Sequence, residues 1–202
     1  MDYGHFSTDG LEYIITTPET PRPWINYLTN EEYCAIISQC AGGYSFYIDC
    51  RTHRITRWSP EAWHFDRPGK YVFIRESNKA WSLTYQPLRI PPQDYECRHG
   101  LGYTTIASVY NGLHARLTYF VATEDPCEIW WVRLTNKTKK ERKLELYPYV
   151  EFSIGDYHEE LRYRNIMTLY NRIWYDRDKK AILAKKTAQW QGTGTQPYDS
   201  LL

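Results

Sequence analysis

The chain lacks several features that would assign it to a common class of protein. None of its 202 residues fall in an apolar run of about 18, and its first residues carry neither a basic start nor an apolar stretch. Lys and Arg number 25 against 24 Asp and Glu, so the formal net charge of +1 provides no field that would select nucleic acid or an anionic membrane. We expect no nucleic-acid partner, no membrane association and a cytoplasmic location.

Metal-binding and disulfide patterns are also lacking. The five cysteines include no C-x-x-C pair, and the six histidines have no second ligand at the spacing that coordination on a helix or hairpin needs. We therefore predict no metal site and reduced thiols, as in a cytosolic protein. The cysteines are Cys34, Cys40, Cys50, Cys97 and Cys127.

What is present is a dense set of strand signals separated by turn residues, which predicts an all-β fold: a large antiparallel β-sandwich with very little helix. Apolar and polar residues alternate over 113–121, after Asn111-Gly112, a type I′ hairpin signal. Segment 128–134 is apolar on both faces, which favours a central strand, and Pro148 favours an edge or a bulge. The other predicted strands are 11–16, 44–48, 71–75, 101–109, 144–152, 166–175 and 182–186.

Two segments are rich in Pro, Gly and aromatic residues, 17–28 and 42–47. Proline fixes φ and removes a donor, so irregular chain held by ring packing is expected in the first. Such a composition is typical of a surface that binds sugars. A helical start is predicted only at 30–33, and we expect one sandwich domain over 1–190 with a flexible or truncated tail over 191–202.

Seven motifs together resemble the N-terminal region of the cellobiose, cellodextrin and chitobiose phosphorylases, glycoside hydrolase family 94. The resemblance covers roughly residues 3–190. The motifs lie at 14–18, 21–28, 42–47, 66–72, 81–87, 95–104 and 149–156.

This resemblance implies a β-sandwich that, in the full-length family, precedes a helical linker and an (α/α)₆ barrel in a homodimer. Family members break β-linked glucosides by inverting phosphorolysis, with inorganic phosphate as co-substrate and no other cofactor. The general acid and the phosphate-binding groups lie in the barrel, which this chain does not contain. The family's sandwich usually runs longer than 202 residues, which leaves open whether the sandwich is complete.

Segment 155–165 has the densest mixture of acids, bases and aromatic residues and is the main candidate site. The resemblance implies a loop here that reaches the partner subunit's active site and helps form the acceptor-sugar subsite. The alternative is a solvated loop whose acids and arginines pair loosely. The candidate substrate-binding residues are His158, Arg162, Tyr163, Arg164 and Asn165. The family often has a Gln-Arg pair here, which Tyr163-Arg164 matches only in its second member.

Four carboxylates are candidates for hydrolysis by the chain alone: Glu151, Asp156, Glu159 and Glu160. Glycoside hydrolysis needs two carboxyl groups roughly 5 to 9.5 Å apart. Exposed acids are more often solvated surface than catalytic pairs. A second candidate cluster is Asp94 and Glu96 beside Arg98 and His99, for which the resemblance implies a structural role as an ion-paired turn.

Three functions follow from these features. The first is the N-terminal part of a cellobiose or cellodextrin phosphorylase that supplies dimer and acceptor-sugar contacts. The second is a stand-alone carbohydrate-binding module, and the third is a small β-glucosidase-type hydrolase that uses the sandwich carboxylates. Candidate sugar-stacking platforms are Trp24, Trp58, Trp63, Trp81 and Trp190.

Overall fold

The computed structural model describes residues 2–59 and 66–187. Antiparallel strands dominate them, so the predicted all-β class is confirmed. In chain order the strands are β1 (Gly4–Phe6), β2 (Glu12–Ile15), β3 (Ile25–Thr29), β4 (Tyr33–Ser38), β5 (Ser45–Tyr47), β6 (Arg54–Thr56), β7 (Tyr71–Glu76), β8 (Lys79–Ser82), β9 (Asp94–Gly100), β10 (Tyr103–Tyr110), β11 (Leu113–Val121), β12 (Glu128–Asn136), β13 (Glu145–Tyr149), β14 (Phe152–Gly155), β15 (Asn171–Asp176) and β16 (Ala181–Lys186). Between β14 and β15 lie helix α1 (Tyr157–Met167) and a 3₁₀-helix (Thr168–Tyr170).

The strands form four sheets. A six-stranded sheet has the order β1-β2-β9-β10-β11-β12, and a five-stranded sheet has the order β14-β6-β5-β4-β3. Strands β13, β7 and β8 form a third sheet, and β15 and β16 form a separate hairpin. The six- and five-stranded sheets face each other where β10 and β11 approach β3 and β4, which makes the body a sandwich.

Strand β11 shows how the sequence pattern produces the core. Leu113, Ala115, Leu117 and Tyr119 are buried between the sheets, whereas Arg116 between them is exposed, as the alternation predicts. The turn before β11 is formed by Asn111 and Gly112 at φ 48° and 73°, which confirms the predicted hairpin.

A buried ion pair ties the edge of the larger sheet to the interior. Lys70 Nζ lies 2.9 Å from Glu128 Oε2 at the start of β12, and the Lys70 side chain is 1% exposed. The hydroxyl of Tyr33 on β4 donates to the same carboxylate at 3.1 Å. The ion pair and this hydrogen bond compensate the charges of Lys70 and Glu128, which would otherwise be costly to bury.

Strand β12 is an edge strand, so the prediction of a central strand is wrong. Its faces divide as the sequence indicates: Trp130 packs on the core, and Trp131 on the other face is 56% exposed. The exposed face of an edge strand can carry large apolar residues, which the apolar pattern alone does not distinguish from burial on both faces. Pro148 does lie on an edge strand, β13, as predicted.

Three local predictions need correction. Residues 30–33 form a turn instead of a helical start, because Asn30 Oδ1 accepts from the backbone N–H of Tyr33 at 2.7 Å and closes the connection between β3 and β4. The irregular chain predicted over 17–28 ends at Pro23-Trp24, after which β3 begins. The strand predicted over 166–175 begins only at Asn171.

Candidate functional site

Helix α1 occupies the segment where a loop is expected from the family resemblance, so that expectation is corrected. Asp156 caps the helix: its Oδ1 accepts from the backbone N–H of His158 at 2.7 Å and of Glu159 at 3.3 Å. The helix is kinked at Tyr163, whose φ and ψ are −131° and 29°. It has little apolar periodicity, and Met167 is its one residue among those described that is fully buried. The usual signal for an amphipathic helix is therefore weak here.

Ion pairs, and not an apolar stripe, hold helix α1 against the sheet. Glu160 Oε1 lies 3.3 Å from Arg57 Nε, and Glu160 Oε2 lies 3.6 Å from Arg54 Nε. Ser153 Oγ donates to the same carboxylate at 2.9 Å. The Arg54 and Arg57 side chains are only 3% and 9% exposed, so this is a buried network that fixes the helix on β6 and β14.

The four candidate carboxylates are mostly engaged in such contacts. Glu151 Oε2 lies 3.1 Å from Arg57 Nη1, and Asp156 caps α1. The cavity beside Asp156 and Glu160 measures about 10 Å³, which is hardly enough for one water molecule. Burial raises the pKa of the Glu159 carboxyl, an effect that the nearby Lys186 ammonium opposes. Among the described residues, this cavity is the space beside Glu160, and it is too small for a sugar ring.

The candidate binding residues lie on the exposed side of the helix. His158 and Arg162 are one turn apart and share a face, whereas Tyr163 and Asn165 follow at and after the kink. All four are exposed. Arg164 belongs to the helix by its backbone, and its side chain lies outside the described part of the structure.

A cleft of about 610 Å³ opens beside the first turn of α1. Of the candidate binding residues whose side chains the structure describes, His158 alone lines it. The walls combine the 17–28 segment, the 42–47 segment, β6 and the helix start. The lining residues are Arg22, Pro23, Ile25, Tyr44, Cys50, Arg51, Arg54, Trp58, Ser59, Tyr157 and His158.

One wall of this cleft is a continuous array of rings and a cation. Trp58 stacks on Tyr44 with ring centres 6.3 Å apart and planes 22° apart. The Arg54 guanidinium carbon lies 4.0 Å from the centre of the Tyr44 ring and 4.9 Å from that of Tyr157. Tyr157 in turn contacts His158, with ring centres 5.8 Å apart. Cation–π contacts of this kind hold both the rings and the guanidinium in place.

The other candidate sugar-stacking tryptophans do not line the cleft in the described part of the structure. Trp24 packs edge-on against Tyr3 and Tyr13, and Trp81 is 5% exposed in the core. Trp63 and Trp190 lie outside the described residues.

The second cluster lies on strand β9 and not in a turn. Arg98 forms ion pairs with Glu96 at 2.6 Å and with Glu12 on the neighbouring strand at 2.7 Å. His99 lies 3.0 Å from the carbonyl oxygen of Trp24, and burial lowers its pKa. These contacts join β2, β9 and the chain before β3, which is a structural role.

Within residues 2–59 and 66–187, no group of three His, Cys, Asp or Glu side chains is placed to hold a metal ion. The five cysteines are free thiols, of which Cys50 and Cys127 are exposed. Among the described helices, none has the length and apolar character required to cross a membrane.

Residues 11–198 match the family model described as "Glycosyl hydrolase 94, supersandwich domain". The chain belongs to this family. Apart from β1, the match includes both sheets of the sandwich, and it includes α1 and the residues of the cleft, so the resemblance seen in the seven motifs is confirmed.

Several curated proteins are similar to this domain. N,N′-diacetylchitobiose phosphorylase of Vibrio proteolyticus is 41% identical over 85% of the chain and 22% of its own length. Solabiose phosphorylase of Paenibacillus borealis is 34% identical over 81% of the chain and 22% of its own length. From the same organism, 3-O-β-D-glucopyranosyl-β-D-glucuronide phosphorylase is 40% identical over 72% of the chain and 18% of its own length. The domain thus spans about a fifth of the length of these relatives.

The sequence indicated the candidate residues on α1, of which His158 lines the cleft, and it indicated Trp58 of the cleft. Arg51, Arg54 and Tyr157 were not selected, and neither was Arg57 beneath the helix. The composition of 17–28 and 42–47 was the sequence feature that indicated the cleft. The fold brings these two segments together, and they line the cleft with Arg22, Pro23, Ile25 and Tyr44.

Proposed function

We propose that the chain is the N-terminal sandwich of an inverting phosphorylase that splits a β-linked disaccharide with inorganic phosphate and works as a homodimer. The observation that carries this proposal is the similarity to disaccharide phosphorylases over 72% to 85% of the chain. Phosphorolysis itself would require the helical barrel of such an enzyme.

Within this function, α1 supplies polar side chains to the acceptor-sugar site of the partner subunit. His158, Arg162 and Asn165 are exposed on a helix whose base is fixed by Glu160. Guanidinium and amide groups present several donors in fixed geometry, which suits a ligand rich in hydroxyl groups. Tyr163 and Arg164 complete the proposed set.

A chimera tests this role. Residues 11–187 would replace the matching region of the Vibrio proteolyticus phosphorylase, and synthesis would be measured from a sugar 1-phosphate with glucose or N-acetylglucosamine as acceptor. We expect activity in the chimera. Arg162→Ala and Asn165→Ala should raise KM for the acceptor at least about tenfold with less effect on KM for the sugar 1-phosphate.

Arg177→Ala is the matched control, because Arg177 is an exposed arginine in the turn between β15 and β16. Its kinetics should equal those of the unmodified chimera. If the acceptor KM is unchanged in both helix variants, α1 does not contribute to the acceptor site. The ratio of the activities with glucose and with N-acetylglucosamine as acceptor would show whether cellobiose or the N-acetylated disaccharide is preferred.

The chain alone provides a second test. Incubated with cellobiose or N,N′-diacetylchitobiose and inorganic phosphate, it should yield no sugar 1-phosphate. Catalytic formation of that ester by the purified chain would contradict the dependence on a barrel.

The hydrolase alternative gains no support from the carboxylates, because Glu151 and Glu160 pair with Arg57, Asp156 accepts from the backbone at the start of α1, and the cavity beside Asp156 and Glu160 measures only about 10 Å³. Release of glucose from an aryl β-glucoside that disappears in Glu159→Gln or in a variant of these three residues would restore that alternative. The aromatic cleft beside α1 favours the other alternative, a carbohydrate-binding module.

A further inference from the structure

The cleft beside α1 offers an aromatic face that solvent can reach. Trp58 is half-buried, and its ring is backed by Tyr44, which also contacts the Arg54 guanidinium. A side chain supported in this way keeps one orientation, so a planar ligand face meets a preformed surface. The apolar face of a pyranose ring, formed by its C–H groups, fits such a surface.

Polar groups stand around the same opening. The Arg51 side chain is 64% exposed, and His158 is exposed on the first turn of the helix. Arg22 completes the rim on the side of the proline-rich segment. A sugar presents hydroxyl groups around the edge of its ring, and each of these side chains offers N–H donors to hydroxyl oxygens.

The size of the cleft also matches. A volume of about 610 Å³ lies within the range of small-molecule sites and exceeds what one pyranose unit needs. The lining combines apolar surface with few polar groups, the usual composition of a site that orients a ligand by a small number of hydrogen bonds.

We propose that this cleft is a saccharide-binding site of the domain itself, in which a pyranose unit of a β-linked gluco-oligosaccharide stacks on Trp58 while Arg51 and His158 hold its hydroxyl groups. The choice of saccharide as ligand rests on the proposed function. The site is made by one chain, so it requires neither the barrel nor a partner subunit.

The test is a titration of the ¹⁵N-labelled full chain with cellobiose and with N,N′-diacetylchitobiose, followed by the indole N–H signals in NMR spectra. Trp58→Phe and Trp131→Phe identify the two signals that matter. We expect the Trp58 signal to shift saturably with one of these sugars and the Trp131 signal to stay in place.

Trp131 is the matched control, because it is a 56% exposed tryptophan with an arginine, Arg133, 5.0 Å from its ring centre, yet it lies on the open face of β12. Calorimetry should show that Trp58→Ala weakens binding about tenfold or more, that Trp58→Phe weakens it less, and that Trp131→Ala leaves it unchanged. Arg51→Ala should also weaken binding.

Two results would overturn the proposal. One is the absence of any saturable shift at Trp58 with either sugar, and the other is unchanged affinity in a Trp58→Ala protein whose circular dichroism and unfolding transition show a native fold. Neither result affects the chimera experiment, in which the kinetics report on Arg162 and Asn165. Failure of this site and failure of the proposed function are therefore distinguishable.

Discussion

Glu160 on α1 and Arg57 after β6 lie 3.3 Å apart, Oε1 to Nε, with only 12% and 9% of their side chains exposed. The pair joins a helix with little apolar periodicity to the five-stranded sheet. Where a helix lacks an apolar stripe, its position depends on contacts of this kind, because packing contributes little.

Replacing Glu160 by Gln should therefore destabilise the domain by roughly 3–5 kcal/mol, since two buried guanidinium groups would lose their common counter-charge. Urea unfolding of the purified chain measures this change. Hydrogen exchange should show faster exchange over 157–167 than in the rest of the sandwich.

Glu159→Gln is the control for that variant: it makes the same chemical change one position earlier on the same helix. Its effect should be clearly smaller, because Glu159 makes no ion pair within 4.0 Å in the described residues. Equal losses in the two variants would show that charge at the helix start, and not the contact with the arginines, determines stability.

Asp156→Ala removes the cap of α1 and should cost about 1 kcal/mol, because the N–H groups of His158 and Glu159 lose their acceptor. Asp156→Asn keeps an acceptor oxygen at the cap and should cost much less. The difference in stability between the two variants, measured by thermal unfolding, separates the contribution of the cap from that of the exposed ion pair between Asp156 and Arg51. If both variants lose the same stability, the charge of Asp156 is what matters.

The strands with a local sequence pattern were predictable, whereas β1, β3, β4, β6, β8 and β9 were not predicted. The alternation in 113–121 and the Asn111-Gly112 turn each specify one element without reference to the rest of the chain. Strand β4 was missed, although all six of its residues are buried, because its continuous apolar run gives no period. Whether β12 is central or at an edge depends on which strands pair with it, which the pattern of one strand does not contain.

The candidate site was only partly predictable for a related reason. Helix α1 is fixed by Arg54 and Arg57, about a hundred residues earlier in the chain, through charges that leave no periodic pattern. The cleft likewise combines side chains from four separate segments, of which proline- and aromatic-rich composition indicated two. The resemblance selected the helix residues, and the fold was needed to show how they are held.

Arg116 and Arg133 lie directly opposite each other across β11 and β12, on the exposed face of the six-stranded sheet. Like charges in this position repel, so Arg116→Thr should raise the free energy of unfolding by roughly 0.2–1 kcal/mol at low salt and by less at high salt. The Arg133→Thr background provides the control, since the same substitution should bring no gain there. A gain of equal size in both backgrounds would assign it to the β-propensity of threonine.

Asp66 is 5% exposed, accepts a hydrogen bond from Ser38 Oγ and packs against Gly42. Burial raises its pKa from the ordinary 3.8 to about 6. The folded state therefore holds a proton that the unfolded chain has already released between about pH 4 and pH 6. The contribution of this residue to stability is fully present below about pH 4 and declines as pH rises to about 6, by roughly 3 kcal/mol in all.

Asp66→Asn tests this dependence, because asparagine is neutral and tolerates the positive φ of 50° at this position. The difference in the free energy of unfolding between Asp66→Asn and the unmodified protein should grow in favour of the variant from pH 4 to pH 6 and stay constant above that. Taking the difference removes the contribution of the other carboxyl groups. A flat difference for Asp66→Asn would show that its carboxyl titrates alike in the folded and unfolded chain.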